Sequence, residues 1–209
     1  MQGTEAFFQN VSDAARFLEA VRRFDALNAG DPHRELDGGQ ERPRELVQAE
    51  RLTAWVMRLE PAASEALRLA ARSQHLCRWR IPRTSHALTR AGYHQWRNEL
   101  KRFHAEQSGQ VLRAVGYDEE MIAAVGALNL KKNFPADPSS RVLEDALCLV
   151  FLQFQLAELA GKTDEAKLIN ALQKSWGKMT PAAHAEALAL RYGTREQELI
   201  AKALAGPRE

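Results

Sequence analysis

Two histidines and an aspartate, His75, His104 and Asp145, carry side chains that bind metal ions. Each lies on the apolar face of a predicted helix, where an ionisable group is costly unless something binds it. Two imidazoles and a carboxylate are a typical ligand set for Mn, Fe or Zn. The sequence therefore predicts a divalent-metal site formed by these three side chains.

Asp145 gives the clearest signal, because it interrupts an apolar row on its helix. The row continues through Val142, Ala146 and Leu149 with helical spacing, whereas the neighbouring Glu144 points elsewhere, towards solvent. A carboxylate in such a row needs a cation, a cluster of donors or a proton. Two interpretations stay open: a metal ligand, or a structural contact with a basic side chain or with helix amides.

The two histidines continue apolar stripes in the same way. His75 follows Ala71 one helical turn later, and His104 follows Leu100. A single histidine on an apolar face is more often a satisfied core residue than a ligand. Two of them accompanied by a buried carboxylate favour a metal site, because neutral imidazole is the commonest metal ligand.

A strongly basic segment, residues 72–102, surrounds the predicted site in the sequence. A local positive field favours an anionic partner, and a solvated helix face paired with acids elsewhere is the equally open alternative. Guanidinium groups bind two phosphate oxygens at once. The predicted substrate-binding residues are Arg78, Arg80, Arg83, Arg97 and Lys101. The predicted catalytic cations are Lys131 and Lys132. Aromatic residues within the segment, Trp79, Tyr93 and Trp96, could stack bases or pack in the core.

Apolar residues recur with helical spacing almost throughout, and no run alternates as a strand does. The pattern predicts an all-α, single-domain helical bundle over residues 1–209, with a core of about 12–192 and a C-terminal helix and tail at 193–209. The segment 31–42, which includes Gly38 and Gly39, is predicted to be a loop. The third helix is predicted to run to about Trp79. Predicted helix caps are Ser12, Ser64, Thr89, Asp118, Asp137, Thr163, Thr180 and Thr194.

Composition excludes several classes of protein. The chain is 45% hydrophobic and 27% charged, as in an ordinary globular protein. The sequence shows no membrane-spanning run and no signal peptide, which predicts a cytoplasmic protein without a membrane partner. The two cysteines, Cys77 and Cys148, lie far apart and suit buried thiols in a reducing compartment. Phosphate-binding glycine loops and HExxH or GxSxG motifs are absent from the sequence.

The run from Ala71 to Arg83 resembles the domain-of-unknown-function 4202 family. The resemblance rests on the motifs Gln-His, Arg-Trp and Ile-Pro-Arg within this run. The segments 103–106 and 143–152 carry the same resemblance, which covers roughly residues 15–190. The family has no assigned activity, so the resemblance implies a fold and little else.

A more distant resemblance is to the HD superfamily of helical metal-dependent phosphohydrolases. His75 would match the first histidine of that superfamily, His104 the histidine of its His-Asp doublet, and Asp145 its final aspartate. Residue 105 is alanine where the doublet has aspartate. Glu106 is the nearest acid and is the predicted fourth ligand, although it points about 200° away from His104 on a regular helix.

The resemblance and the residues together predict a metal-dependent phosphohydrolase that acts on a small nucleotide or phosphorylated metabolite. Metal-bound hydroxide would attack phosphorus, and the basic side chains would neutralise the developing charge. The alternative is a non-catalytic helical module that binds a nucleotide or RNA through residues 72–102. A metal-dependent oxygenase needs more ligands than the sequence offers and ranks lower. A structural protein that presents the amphipathic segment 188–204 to a partner also stays open.

Overall fold

The computed structural model describes residues 10–205, which form α-helices joined by turns and one small hairpin. The predicted all-α class is confirmed. Among the described residues, no helix is both long and apolar enough to span a bilayer. The chain forms two compact units, Met1–Ser140 and Arg141–Glu209. That residues 1–209 make one domain stays a prediction.

Within residues 10–140, the first unit contains a hairpin and five complete α-helices. Its elements are α1 (Ala14–Asn28), β1 (Arg34–Asp37), β2 (Gln40–Pro43), α2 (Arg44–Leu59), α3 (Glu65–Ser73), α4 (Arg90–Ala114) and α5 (Glu119–Leu130). Ser64, Thr89 and Asp118 cap α3, α4 and α5 as predicted, each accepting a hydrogen bond from a backbone amide three residues later.

A continuous core holds these five helices together. Helix α3 packs against α1, α2 and α5, and α4 lies along α5. The side chains of Phe17, Phe24, Leu67, Leu69 and Leu112 are fully buried there. Burial of each such side chain stabilises the fold by roughly 2 kcal/mol. The core therefore fixes α2, α3, α4 and α5 rigidly enough to position side chains at their ends.

The hairpin is a difference from the prediction of a loop at 31–42. Strand β1 pairs antiparallel with β2, and Gly38 and Gly39 form the turn with φ of 58° and 83°. Two consecutive residues with positive φ make the tight turn that matches strand twist, which glycine adopts without strain. The strands show no apolar alternation. They are stabilised by ion pairs, such as those of Arg51 with Glu35 and Asp37.

Helix α3 ends earlier than predicted, and this changes the setting of His75. The helix stops at Ser73, and Cys77 adopts the left-handed conformation with φ of 54° before a 3-10 turn over Arg78–Arg80. His75 therefore lies in the turn that follows α3, not on its face. A left-handed non-glycine residue costs about 1 kcal/mol and persists only where its surroundings enforce it.

The second unit is formed by the remaining helices. They are α6 (Pro138–Val150), whose first residues belong to the first unit, α7 (Leu156–Lys162), α8 (Glu165–Trp176), α9 (Pro181–Ala189) and α10 (Thr194–Ala205). Residues Phe151–Gln155 wind as a π-helix between α6 and α7. Helix α10 packs against α7 and α8.

Several predicted caps fall one residue from the observed ones. Asp13 and Asp164, not Ser12 and Thr163, accept the amide hydrogen bonds that begin α1 and α8. Thr194 is the first residue of α10 rather than its cap. Adjacent residues compete as caps because serine, threonine and aspartate present similar acceptors.

Candidate functional site

His75 and His104 lie side by side in the first unit. Their ring centroids are 6.0 Å apart in an edge-to-face arrangement. His104 projects from the middle of α4 and is 2% exposed, whereas His75 is half-buried in the turn after α3. The structure thus brings together two of the side chains that the sequence singles out.

Glu45, in the first turn of α2, completes the group. Its carboxylate Oε2 lies 4.0 Å from Nδ1 of His75, and Oε1 lies 3.9 Å from Nε of Arg78. Only 7% of Glu45 is exposed. We refer to Glu45, His75 and His104 as the imidazole cluster.

Buried hydrogen bonds hold Glu45 and the His75 turn in a fixed relation. Oδ1 of Asn28, at the end of α1, accepts from the backbone amide of Cys77 at 3.0 Å, and its Nδ2 donates to the carbonyl of Glu45 at 3.4 Å. Asp31 Oδ2 accepts from the amide of Glu45 at 3.0 Å. Asn28 is completely buried, so these bonds replace water and explain the left-handed turn at Cys77.

Burial dominates the ionisation of the imidazole cluster. It raises the pKa of Glu45 to about 7, a shift that the neighbouring Arg78 guanidinium opposes. It lowers the pKa of His104 to about 4 and that of His75 well below its usual range. Both imidazoles are therefore neutral at physiological pH, and each keeps one nitrogen lone pair.

Three cations act on His75 from different elements, and we call Arg78, Arg97 and Lys131 the cationic rim. After burial, their positive charges are further causes of the low pKa of His75, as is the neighbouring His104. Arg78 is half-buried over the ring of Trp96, at 4.9 Å. The rim residues come from the 78–80 turn, α4 and the end of α5, and their charges disfavour protonation of His75.

Lys131 occupies a conspicuous backbone position. It follows α5 in the left-handed conformation with φ of 56°, and the amides of Lys131 and Lys132 close the helix by donating to carbonyls of α5. Glycine is the usual residue at such a position. Its replacement by lysine places a cation near His75 at a cost in backbone energy.

The other predicted basic residues have different settings. Arg83 donates to the carbonyls of His86, Ala87 and Thr89, and so supports the loop before α4. Arg80 and Lys132 are exposed, and Lys101 is half-buried on α4. Segment 72–102 is not one uniform cationic face, because Arg72 also forms a bidentate pair with Asp25 at 2.6 and 2.7 Å.

The aromatic residues of that segment divide between core and surface. Trp96 is buried, and its indole nitrogen donates to the carbonyl of Ile81 at 2.8 Å. Tyr93 is 42% exposed, with the guanidinium of Arg97 6.0 Å from its ring centroid. Of these two rings, Tyr93 is the one accessible to a planar ligand.

Asp145 lies in the second unit, where both carboxylate oxygens are engaged. Oδ1 accepts from the backbone amide of Thr180 at 2.9 Å, and Oδ2 accepts from its hydroxyl at 2.6 Å. Thr180 itself caps α9 as predicted. Glu144, predicted to be solvated, is buried and accepts from Lys178 at 3.1 Å. The contact with Thr180 is one that stabilises the start of a helix.

Glu106 is exposed on α4 and accepts from Gln110 at 3.4 Å, while His104 on the same helix is buried. Within residues 10–205, no group of three or more His, Cys, Asp or Glu side chains is placed to hold a metal ion. Two neutral imidazoles are suitable metal donors, but the part of the chain that the structure describes does not supply a third ligand beside them.

Sequence reasoning missed Glu45 and Asn28. Glu45 shares a helical stripe with the buried Ala49, Leu52 and Val56, so the argument applied to Asp145 could have identified it. Asn28 gave no comparable signal, because a terminal asparagine on a helix is common and its partners come from distant parts of the chain.

The chain belongs to a family described as a domain of unknown function, DUF4202, whose profile matches residues 18–200. The predicted resemblance to this family is therefore confirmed. A search of curated proteins finds no match, and a search of solved structures finds none either.

Proposed function

We propose that the first unit binds a phosphorylated small molecule, such as a nucleotide, between the imidazole cluster and the cationic rim. The observation that carries the proposal is the setting of Arg78, whose Nε lies 3.9 Å from the carboxylate of buried Glu45, which itself lies 4.0 Å from His75. The charges of Arg97 and Lys131 also act on this imidazole. A phosphate group needs several donors and a positive field, and guanidinium and ammonium groups supply both.

The burial of His104 and Glu45 favours a small molecule over RNA. His104 and Glu45 are buried, and the cations that act on His75 come from the 78–80 turn, from α4 and from the end of α5. Binding along a nucleic-acid backbone needs a long row of accessible cations, whereas Arg72 and Arg83 in the basic segment are already bound to acceptors of the fold.

We expect Lys131→Gln to weaken binding of adenosine monophosphate about tenfold, because one charged hydrogen bond to phosphate is lost. The measurement is titration calorimetry on the full chain. Lys132→Gln is the matched control, since Lys132 is exposed and adjacent. Equal effects of the two substitutions would show that general charge, and not the rim, attracts the ligand. No binding of adenosine monophosphate or inorganic phosphate by the parent protein would reject the proposal.

The same titration should be repeated with single-stranded RNA over a range of salt concentrations. The proposal predicts that the nucleotide binds with a shallow salt dependence, because one phosphate group neutralises few cations. RNA that binds more tightly and with a steep salt dependence would favour the nucleic-acid module instead.

A metal-dependent phosphohydrolase is the second candidate, and one specific observation favours it. Nδ1 of His104 lies 2.9 Å from the carbonyl of Leu76, an arrangement that also orients histidines that bind metals. His75 lies beside it with a second neutral ring. Mn, Fe or Zn would supply an activated water for attack on phosphorus. The donor set lacks a third protein ligand among the described residues, so the two imidazoles alone carry this candidate.

Elemental analysis of the purified protein and of His75→Ala tests the second candidate directly. It predicts bound metal that the substitution removes, together with phosphatase or phosphodiesterase turnover. Protein without metal, and without turnover after addition of Mn²⁺ or Fe²⁺, would reject hydrolysis and leave ligand binding standing.

We also propose a cytoplasmic location. Both Cys77 and Cys148 are buried, and neither forms a disulfide among the described residues, which suits a reducing compartment.

A further inference from the structure

The tautomer of His104 is fixed by its surroundings. Because a carbonyl oxygen can only accept, Nδ1 of His104 must donate to Leu76, and Nε2 of the neutral ring is then an acceptor. This Nε2 atom is buried and has no hydrogen-bond partner among residues 10–205. Buried polar atoms in folded proteins are nearly always satisfied, so an exception indicates a place for a bound group.

The polar groups around His75 approach one another without bonding. Glu45 lies 4.0 Å from the Nδ1 atom of His75 and 3.9 Å from Nε of Arg78, both beyond hydrogen-bond distance. Separations of this length are spanned by a single oxygen atom that bonds to both sides. The cluster thus offers acceptors at His104 and Glu45, and the rim residue Arg78 offers donors beside Glu45.

A phosphate oxygen suits only part of this arrangement. An unprotonated phosphate has no hydrogen to donate and would meet lone pairs at Nε2 of His104 and at an ionised Glu45. It fits the cationic rim instead. A hydroxyl group fits the cluster, because it donates to an imidazole or carboxylate and accepts from a guanidinium at the same time.

We infer that the imidazole cluster binds one or two hydroxyl groups of a sugar phosphate, with the phosphate held by the cationic rim. This inference rests on the proposed function, since it assigns the rim to phosphate. It narrows the ligand to a phosphorylated polyol or sugar, the class to which nucleotides belong.

The test compares three probes on the full chain by calorimetry: ribose 5-phosphate, butyl phosphate, which has the phosphate but no hydroxyl group, and inorganic phosphate. We expect ribose 5-phosphate to bind at least tenfold more tightly than butyl phosphate, because the analogue without hydroxyls leaves buried polar groups unpaired. His104→Phe should remove this preference, so that ribose 5-phosphate and butyl phosphate bind the variant with equal affinity. His94→Phe, at an exposed position of α4, is the matched control and should keep the preference.

A second measurement, by NMR, uses the parent protein and so does not require that a variant folds. The ¹⁵N resonance of Nε2 in His104 should shift when ribose 5-phosphate is added and stay in place with butyl phosphate. Equal affinities for these two probes would overturn the hydroxyl assignment and leave phosphate binding intact. Failure of all three probes to bind would overturn the proposed function itself.

Discussion

Replacement of Asp145 by alanine is expected to lower the free energy of unfolding by about 3 kcal/mol. The carboxylate is 3% exposed and accepts two hydrogen bonds from Thr180, one from the amide and one from the hydroxyl. Alanine would leave both donors unsatisfied at the buried start of α9. Urea unfolding of the full chain, with and without a chelator, provides the measurement.

A double-mutant cycle separates this contact from general damage. Thr180→Val removes the hydroxyl donor but keeps the amide, so Asp145→Ala in that background should cost about 1 kcal/mol less. Asp164→Ala is the control for an ordinary helix cap in the same unit, with a cost near 1 kcal/mol. An effect of Asp145→Ala that disappears in the presence of chelator would contradict the structural role and would favour the metal site.

Local signals in the sequence predicted the helices well. The Thr180-Pro181 pair marks a helix start because the cap bond and the fixed φ of proline act within four residues. Ser64, Thr89 and Asp118 succeed for the same reason. The sequence pattern did not predict the hairpin, because its strands are short and polar. The two glycines between the strands are nevertheless a turn signal.

The candidate site was predictable only in part. Helical stripes placed His104 in the core and Asp145 among apolar neighbours, and both are buried. A helical stripe predicts which side chain is buried, but it does not predict which group forms a hydrogen bond with that side chain. The partners of Asp145 are the amide and the hydroxyl of Thr180, 35 residues away, and no local pattern relates the two residues. His75 lies at the site because the chain turns at Cys77, and this turn is held by a hydrogen bond to Asn28, which is distant in sequence.

The second large effect concerns Glu45 and the pH dependence of stability. Its pKa is about 7 in the folded protein, raised by burial from 4.5. The folded state therefore binds the proton more tightly than the unfolded state, and stability declines as pH rises between these two values. At 1.36 kcal/mol per unit, the loss amounts to about 3 kcal/mol at pH 8 relative to pH 4.5.

The two histidines contribute with the opposite sign, which masks this decline in the parent protein. Burial lowers the pKa of His104 to about 4, so between pH 4 and 6.5 the unfolded state binds a proton at this imidazole that the folded state does not. The free energy of unfolding therefore increases as pH rises from 4 to 6.5. His75 acts in the same direction. The unfolded-state histidines titrate around pH 6.5, so both contributions level off about one unit higher and overlap the titration of Glu45.

Glu45→Gln isolates the effect, since glutamine keeps the shape and removes the ionisation. We expect the variant to gain stability relative to the parent as pH rises from 4.5 to 8, by about 3 kcal/mol in total. Charges near Glu45, from Arg78, Arg44, Asp31 and Glu35, are unchanged in the comparison. Glu41→Gln, at an exposed position of the hairpin, is the control. A pH-independent difference at Glu45, or an equal pH-dependent gain at Glu41, would show that burial does not hold the proton on Glu45. In that case the carboxylate is ionised in the folded state at neutral pH, and it accepts from a ligand hydroxyl without releasing a proton.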